Sequence, residues 1–165
     1  KKYKFIKKDT KLLDVGAYPG GWSQVSSKII TSGKILSLDL KKMDQIKNVS
    51  FLQSNFLEEN TKEKVFNFFS GSLNVVLSDM AADTTGNKSL DCIRTNQLCA
   101  NVINFSSKIL LPNGVLISKL FMGDDFLEVK DLAKSKFKKV QFFKPEASRN
   151  ESKETYLYCA ILKTL

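Results

Sequence analysis

Two side chains that could carry proton or charge chemistry follow buried apolar runs of the sequence. Asp79 closes the run NVVLSD (74–79), and Lys119 closes the run GVLISK (114–119). If the two runs are neighbouring parallel strands, their carboxyl ends meet at the sheet edge where open α/β proteins bind ligands. Glu154 begins the last apolar run and could complete a lysine–carboxylate cluster. Such a cluster is typical of a catalytic site, and a structural ion pair is the alternative.

A glycine-rich turn follows the first apolar run, in the segment LDVGAYPGGW (13–22). Gly16 lets the backbone pass close to a ligand because it has no Cβ, and Gly20 and Gly21 free the turn at the start of a helix. The spacing is not that of G-x-G-x-x-G, so the turn favours a nucleoside without phosphate over a pyrophosphate. A tight strand–helix turn with no ligand is the alternative.

Two further polar residues end the second and third strands. Asp39 lies eighteen residues after Gly21, and a carboxylate there could accept both hydroxyls of a ribose. This suits S-adenosylmethionine and NAD equally. Asn55 could hydrogen-bond the edge of an adenine. An ordinary strand-end carboxylate and a turn-capping amide are the structural alternatives.

Composition excludes several kinds of site. The 165 residues include no histidine, which excludes Ser-His-Asp and Cys-His catalysis and histidine-ligated metals. The three cysteines, Cys92, Cys99 and Cys159, have neither metal-ligand nor disulfide-framework spacing, so we expect free thiols, no metal and a reducing compartment. No apolar run approaches the roughly 18 residues of a membrane span, and no signal peptide is visible. We therefore expect a cytoplasmic protein that does not associate with membranes.

The charge balance is strongly basic, with 26 Lys and Arg against 17 Asp and Glu and a net charge of +9. Basic domains of this kind often bind nucleic acid, because each neutralised phosphate releases counterions. Arg149, in the polar segment 144–153, could grip a phosphate with its fork of donors. A lysine-rich solvated surface and a solvated hairpin tip are the corresponding alternatives.

Seven short runs rich in Val, Ile, Leu, Phe or Tyr predict the strands that position these residues. The runs are KLLDV (11–15), KILSLD (34–39), VSFLQ (49–53), NVVLSD (74–79), GVLISK (114–119), VQFF (140–143) and TYLYCAIL (155–162). Helices are predicted at 21–30, 58–69, 91–111 and 124–136. The alternation of strands and helices implies parallel strands with right-handed crossovers.

The last two runs break this pattern because only eleven residues separate them. That is too short for a helical crossover, so the two strands should form an antiparallel hairpin. We predict a single α/β domain over 1–165, with a Rossmann-like, seven-stranded, mostly parallel sheet, a C-terminal antiparallel hairpin and helices on both faces. This is the layout of S-adenosylmethionine-dependent methyltransferases.

An ordered set of motifs extends over essentially the whole chain. It comprises DVGAYPGGWSQ (14–24), DLKKMDQI (39–46), FLQSNF (51–56), SDMAADTTG (78–86), LLPNG (110–114), SKLFMG (118–123) and KPEASRNESKETYL (144–157). Together these motifs resemble the FtsJ-like ribose 2′-O-methyltransferases. The resemblance implies S-adenosylmethionine-dependent methylation of a ribose, that of a uridine, in large-subunit (23S-type) ribosomal RNA. It also implies the RNA or the 50S-type subunit as partner, and we expect a monomer in the bacterial cytoplasm or, alternatively, in mitochondria.

The resemblance further implies a Lys-Asp-Lys-Glu catalytic tetrad. Asp79, Lys119 and Glu154 match its last three members, and its first lysine would lie upstream of Lys1. Lys119 is the implied base, but two neighbouring carboxylates favour its ammonium form, so we expect it to orient the hydroxyl more than it deprotonates it. The predicted cofactor-binding residues are Gly16, Ala17, Pro19, Gly20, Gly21, Trp22, Asp39, Asn55 and Asp79, and the predicted RNA contacts are Arg149 and Lys153.

Two residues depart from the family pattern. Tyr18 stands where the family often has a small residue, so we expect it to crowd the methionine pocket. Asn55 stands where the family usually has Asp, so we expect cofactor binding to survive with altered affinity. Three other hypotheses stay open: a non-catalytic RNA-binding or ribosome-assembly module with a vestigial cofactor fold, a tRNA ribose methyltransferase, and a nicotinamide-dependent oxidoreductase. The glycine spacing and the C-terminal hairpin count against the last.

Overall fold

A computed structural model describes residues 4–164, and within them one sheet has seven strands in the order β3-β2-β1-β4-β5-β7-β6. The strands are β1 (Lys11–Val15), β2 (Lys34–Asp39), β3 (Ser50–Gln53), β4 (Leu73–Ser78), β5 (Leu110–Phe121), β6 (Phe137–Phe143) and β7 (Glu154–Leu162). The helices are α1 (Gly21–Ile29), α2 (Glu59–Phe68), α3 (Lys88–Ile109) and α4 (Phe126–Lys136). Strands β1 to β5 pair in parallel, and β7 runs antiparallel to both β5 and β6. The predicted sheet and its C-terminal hairpin are therefore confirmed.

The central strands β1, β2 and β4 are buried on both faces, and each face of the sheet has its own apolar cluster. Leu13 of β1 packs in the larger cluster, with side chains of α2, α3 and α4. Its neighbour Leu12 points to the opposite face, as the strand pleat requires, and packs in the smaller cluster beside Trp22 and Ile29 of α1. Helices on both faces, as predicted, explain why the first strands are continuous apolar runs rather than alternating ones.

The element boundaries differ from the predicted ones where local capping or tertiary pairing decides them. Helix α3 begins at Lys88 because the Asn87 side chain accepts a hydrogen bond from Leu90 N, which is the contact of an N-cap. Strand β5 begins early, at Leu110, because that residue pairs with Leu73 ahead of an irregularity in the ladder. The ends that carry the candidate site residues shift by one or two residues: β4 ends at Ser78, just before Asp79, β5 continues past Lys119 to Phe121, and β7 begins at Glu154.

The sequence also led to predictions about the cysteines and about membrane-spanning segments. All three cysteines are free and buried, as expected. In residues 4–164 no helix has the length and apolar character needed to cross a membrane.

Candidate active site

The ends of three strands bring the ionisable residues to one edge of the sheet. Asp79 follows β4 directly, and its backbone N–H donates to Val15 O at 3.0 Å, which fixes its position beside β1. Lys119 lies near the carboxyl end of β5, the neighbour of β4. Because β7 runs antiparallel to β5, its first residue, Glu154, lies at the same edge and pairs with Phe121. The topology therefore assembles the three predicted residues.

These residues form a compact ionic cluster. Lys119 Nζ lies 3.0 Å from Asp79 Oδ1 and 3.4 Å from Glu154 Oε2. The Lys119 side chain is only 13% exposed, whereas the Asp79 carboxylate is 36% exposed. The two carboxylates fix the position of the lysine head group, since the Coulomb interaction of such close and partly buried charges is less screened than in bulk water. An ammonium group has three donors, so one remains for a ligand.

Tyr156 belongs to this cluster, although sequence reasoning missed it. Its hydroxyl donates to Asp79 Oδ1 at 2.7 Å. Burial, together with the Asp79 charge, raises the pKa of the phenol well above its usual range, so the group stays a donor. The period of two along a strand could have found it, because Tyr156 lies two residues after Glu154 and directly opposite Lys119.

A cavity of about 570 Å³ opens beside the cluster and shares Asp79 with it. Its volume is in the usual range for small-ligand sites. Gly16, Asp39 and Asn55, three of the other predicted cofactor-binding residues, also line it. The structure thus joins the lysine–carboxylate cluster and the polar strand ends into one site.

At Gly16, the backbone of the glycine-rich turn lies close to the segment that follows β4. Gly16 has φ +70°, and a Cβ added there would lie 2.8 Å from Met80 Cγ and 2.9 Å from Met80 N. Any side chain at this position would collide with the segment after β4 and strain the backbone. Gly20, with φ +114°, plays a different part, because an added Cβ would lie 2.9 Å from Ile46 Cδ1. It allows close packing against the β2–β3 connection rather than lining the cavity.

Two backbone amides fix the carboxylate at the end of β2. Asp39 Oδ2 accepts from Tyr18 N at 2.9 Å, and Oδ1 accepts from Lys41 N at 2.8 Å. Each oxygen keeps a further lone pair for a hydroxyl group. Asn55 uses its amide oxygen to accept from Leu57 N at 3.0 Å, the turn contact considered as an alternative. Its NH₂ group remains a donor for a ligand in the cavity.

A buried carboxyl group, Asp14, lies under the site and was not predicted. Its Oδ2 accepts from Ser23 Oγ at 2.6 Å, while Oδ1 is buried with no hydrogen-bond partner in residues 4–164. Burial, opposed by the Ser23 hydrogen bond and reinforced by the charges of Asp79 and Asp39, raises the pKa of Asp14 to about 7. A charged residue inside the buried run KLLDV was the available signal. These grouped carboxyl groups favour a ligand that is cationic or rich in donors.

The other predicted cofactor residues lie around the turn without lining this cavity. They are Ala17, Pro19, Gly20, Gly21 and Trp22. The Trp22 ring packs 5.6 Å from the Tyr156 ring, so it supports the cluster from the α1 side. Tyr18 lines the cavity with its side chain half exposed, and Lys41 Nζ lies 5.3 Å from its ring centre.

The predicted RNA contacts lie in the connection between β6 and β7. Arg149 and Lys153 are both exposed there. Lys144 Nζ shapes this connection by donating to Asn150 O and Ser152 O. Because β7 begins at Glu154, the connection ends at the ionic cluster. The first lysine of the implied tetrad, expected upstream of Lys1, lies outside the described residues and stays a prediction.

Comparison with known proteins gives concordant matches. The family model described as FtsJ-like methyltransferase matches residues 1–162. A Pelagibacter ubique protein named ribosomal RNA large subunit methyltransferase E is 41% identical over 162 residues, covering 98% of this chain and 80% of that protein. The protein of the same name from Rickettsia akari is 44% identical over 162 residues, covering 94% of this chain and 71% of that protein.

Solved structures agree with these matches. A Plasmodium falciparum protein described as a ribosomal RNA methyltransferase superposes with a TM-score of 0.84 at 29% identity, covering 98% of this chain and 91% of that one. Human methyltransferase-like protein 13, solved in complex with SAH, gives a TM-score of 0.69 at 16% identity, covering 95% and 77%. At that identity the second match shows a shared fold.

Proposed function

Because this chain belongs to the FtsJ-like methyltransferase family, we propose that it methylates the 2′-oxygen of a ribose in large-subunit ribosomal RNA, with S-adenosylmethionine as the methyl donor. One observation carries the proposal. Asp79 lines the nucleoside-sized cavity and also pairs with Lys119 at 3.0 Å, so a cofactor and an activated hydroxyl would meet at one carboxylate. The names of the Pelagibacter and Rickettsia relatives support large-subunit RNA as substrate. A uridine as the target rests on the family resemblance.

The cavity fits S-adenosylmethionine on its own chemistry. Asp39 would accept the ribose hydroxyls, and Asn55 would contact the adenine edge. Gly16 would let the backbone approach the ligand closely, as its contact with Met80 requires a bare Cα. The carboxylate of Asp79, with Asp14 beneath it, would favour the positive charge of a sulfonium. When bound, the cofactor supplies an electrophilic methyl group on that sulfonium, which becomes a neutral thioether after transfer.

The residues of this chain would align and activate the hydroxyl. Lys119, held between Asp79 and Glu154, donates from its ammonium to the 2′-oxygen and stabilises the negative charge that develops there. Glu154 Oε2, 3.4 Å from Lys119 Nζ, is the neighbouring acceptor for the proton that the hydroxyl loses. Tyr156 fixes the Asp79 carboxylate through its short hydrogen bond. Alignment by such groups supplies several kcal/mol of the barrier reduction, on the order of 7 or more in favourable cases.

The first test is binding. Isothermal titration with S-adenosylmethionine should give saturable binding, and titration with NAD should give none. Binding of NAD alone would overturn the proposed cofactor and favour an oxidoreductase. Binding of neither would favour the vestigial RNA-binding module.

The second test identifies the acceptor. The protein is incubated with methyl-labelled cofactor and large ribosomal subunits from a bacterium lacking this methylation, with total tRNA as a parallel substrate. A 2′-O-methyl group removes the hydroxyl that drives alkaline cleavage, so labelled ribosomal RNA should yield an alkali-resistant dinucleotide. Label on a base or on tRNA alone would contradict the proposal.

A further inference from the structure

A second, shallow groove wraps the edge strand of the sheet. Its volume is about 650 Å³. The groove residues that carry the argument are Lys130 and Lys134 of α4, Lys139, Gln141 and Phe143 of β6, and Tyr158 of β7. Phe142 packs against α4, so Lys139, Gln141 and Phe143 point to the other side of β6. Three ammonium groups and two aromatic rings therefore share the surface that wraps around this edge strand.

No carboxylate of residues 4–164 neutralises the charge of this groove. In the described part of the chain, Lys130, Lys134 and Lys139 make no ion pair with a carboxylate. The segment 126–143, which contains α4 and β6, has five lysines and two carboxylates. Lys139 Nζ lies 5.6 Å from the Tyr158 ring centre, a contact that leaves its charge free. Unpaired cations grouped on one surface attract a polyanion.

The groove is continuous with the candidate active site. Phe143 pairs with Tyr156 in the β6–β7 ladder, and their rings stack with centres 5.8 Å apart and planes at 22°. Tyr156 in turn donates to Asp79, the partner of Lys119. Phe143 is 42% exposed, so one side of its ring packs on the site and part of it faces solvent. A chain of direct contacts thus runs from the groove to the ionic cluster.

We propose that this groove binds the RNA strand that flanks the target nucleotide, with Lys130, Lys134 and Lys139 contacting phosphates and Phe143 stacking on a base. The inference rests on the proposed function, because it needs RNA as the substrate of the neighbouring site. Alternation of basic groups with an exposed ring is the pattern by which single-stranded nucleic acid is bound without sequence preference. An acidic protein surface would pair with the lysines but would leave the ring unused.

The experiment distinguishes an effect of the groove lysines on RNA binding from the general effect of removing three positive charges. The triple variant Lys130→Gln/Lys134→Gln/Lys139→Gln is compared with a matched control, Lys28→Gln/Lys47→Gln/Lys64→Gln, whose lysines are exposed on other elements. The probe is a fluorescein-labelled, mixed-sequence RNA of about 20 nucleotides, followed by anisotropy across a KCl series. The groove variant should bind at least about tenfold more weakly than the control, with a salt slope lower by about 2, since each lost single-strand phosphate contact removes about 0.7.

Two substitutions at Phe143 test whether its aromatic ring stacks on a base. Phe143→Leu should weaken RNA binding about tenfold, because the stacking of one base on an aromatic ring contributes about that much to affinity. Phe143→Tyr keeps an aromatic ring and should bind RNA as tightly as wild type. With large ribosomal subunits as substrate, the groove variant should raise KM and leave kcat and S-adenosylmethionine affinity near wild type. Phe143→Leu should also raise KM and leave S-adenosylmethionine affinity near wild type. Wild-type cofactor affinity also shows that the variants are folded.

The outcomes distinguish the two proposals. If the unaltered protein binds and methylates RNA and the groove variant matches the lysine control, the groove assignment is wrong and the proposed function stands. If the unaltered protein binds cofactor but neither binds nor methylates RNA, the proposed function fails and this inference fails with it.

Discussion

The Lys119 side chain is only 13% exposed and lies between two carboxylates, so its position is closely constrained. We expect Lys119→Ala to abolish detectable methyl transfer, a loss of about 10³-fold in kcat, because an oriented donor at the reacting oxygen is removed. Cofactor affinity should stay nearly intact, since Lys119 does not line the cavity. Single-turnover transfer and titration calorimetry measure the two effects, with Lys64→Ala as control. Retained turnover in the variant would contradict the assignment.

Tyr156 allows a finer change at the same carboxylate. Tyr156→Phe removes the hydroxyl that donates to Asp79 but keeps the ring that packs on Trp22 and Phe143. Because a hydrogen bond to a charged group is worth about 1.5–3 kcal/mol, we expect kcat to fall about 10- to 100-fold without loss of fold. Steady-state kinetics and a thermal melt check this. Wild-type kcat in this variant would mean that Asp79 needs no such support.

Asp14 makes stability depend on pH. Its pKa is about 7 in the folded protein against 3.8 for an unperturbed group. Between these pH values the folded chain keeps a proton that the unfolded chain has lost. The contribution of Asp14 to stability is therefore full below about pH 4 and is lost as pH rises through 7. The fall has a slope of up to about 1.4 kcal/mol per pH unit. Urea unfolding at pH 5 and 7.5 should show a smaller difference for Asp14→Asn than for wild type, whereas equal differences would exclude this origin.

The end of β5 is the element on which the site most depends, and a buried amide of α3 holds it. Asn96 Nδ2 donates to Phe121 O at 3.0 Å, and its Oδ1 accepts from Phe121 N at 2.8 Å. Asn96→Ala should lower the free energy of unfolding by about 2–4 kcal/mol, since it leaves both backbone groups unpaired. It should also lower kcat, because Lys119 lies two residues before this anchor. Urea unfolding and kinetics test both effects, and exposed Asn104→Ala should change stability by less than about 0.5 kcal/mol.

The strands were easier to predict than the contacts that position their ends. Short apolar runs and the eleven-residue final connection were enough to predict the sheet. Both the apolar run of a strand buried on two faces and the length of a connection can be read from a short stretch of sequence. Asp79, Lys119 and Glu154 could be placed together because all follow from which strand ends share an edge. The roles of Tyr156 and Asn96 could not be predicted in the same way. They depend on the register between neighbouring strands and on which face of α3 turns toward β5. Asp14 was overlooked for a similar reason, since its neighbours Ser23 and Ser37 come from two other elements.

The whole molecule separates its charges by location, which the net charge of +9 does not reveal. Carboxyl groups gather at the cavity, where Asp14, Asp39 and Asp79 interact. Lysines that make no ion pair within residues 4–164 instead lie along the groove at the opposite edge of the sheet from β3. A cationic small cofactor and a polyanionic substrate are thus each matched by the local charge of a different region. The two regions meet where the Phe143 ring stacks on the Tyr156 ring, beside the ionic cluster at which transfer would take place.

This separation predicts that salt acts on the two ligands differently. If the three groove lysines, Arg149 and Lys153 each contact a phosphate, the affinity for single-stranded RNA should fall about 10²-fold between about 50 and 200 mM KCl, because each contact adds about 0.7 to the slope. Cofactor affinity should change by less than about threefold, since its partners are partly buried and close, and such pairs are screened little. Anisotropy and titration calorimetry on the same samples measure the two dependences. Equal salt dependence for both ligands would mean that the basic surface does not select the substrate, and the net charge would then be a property of solubility alone.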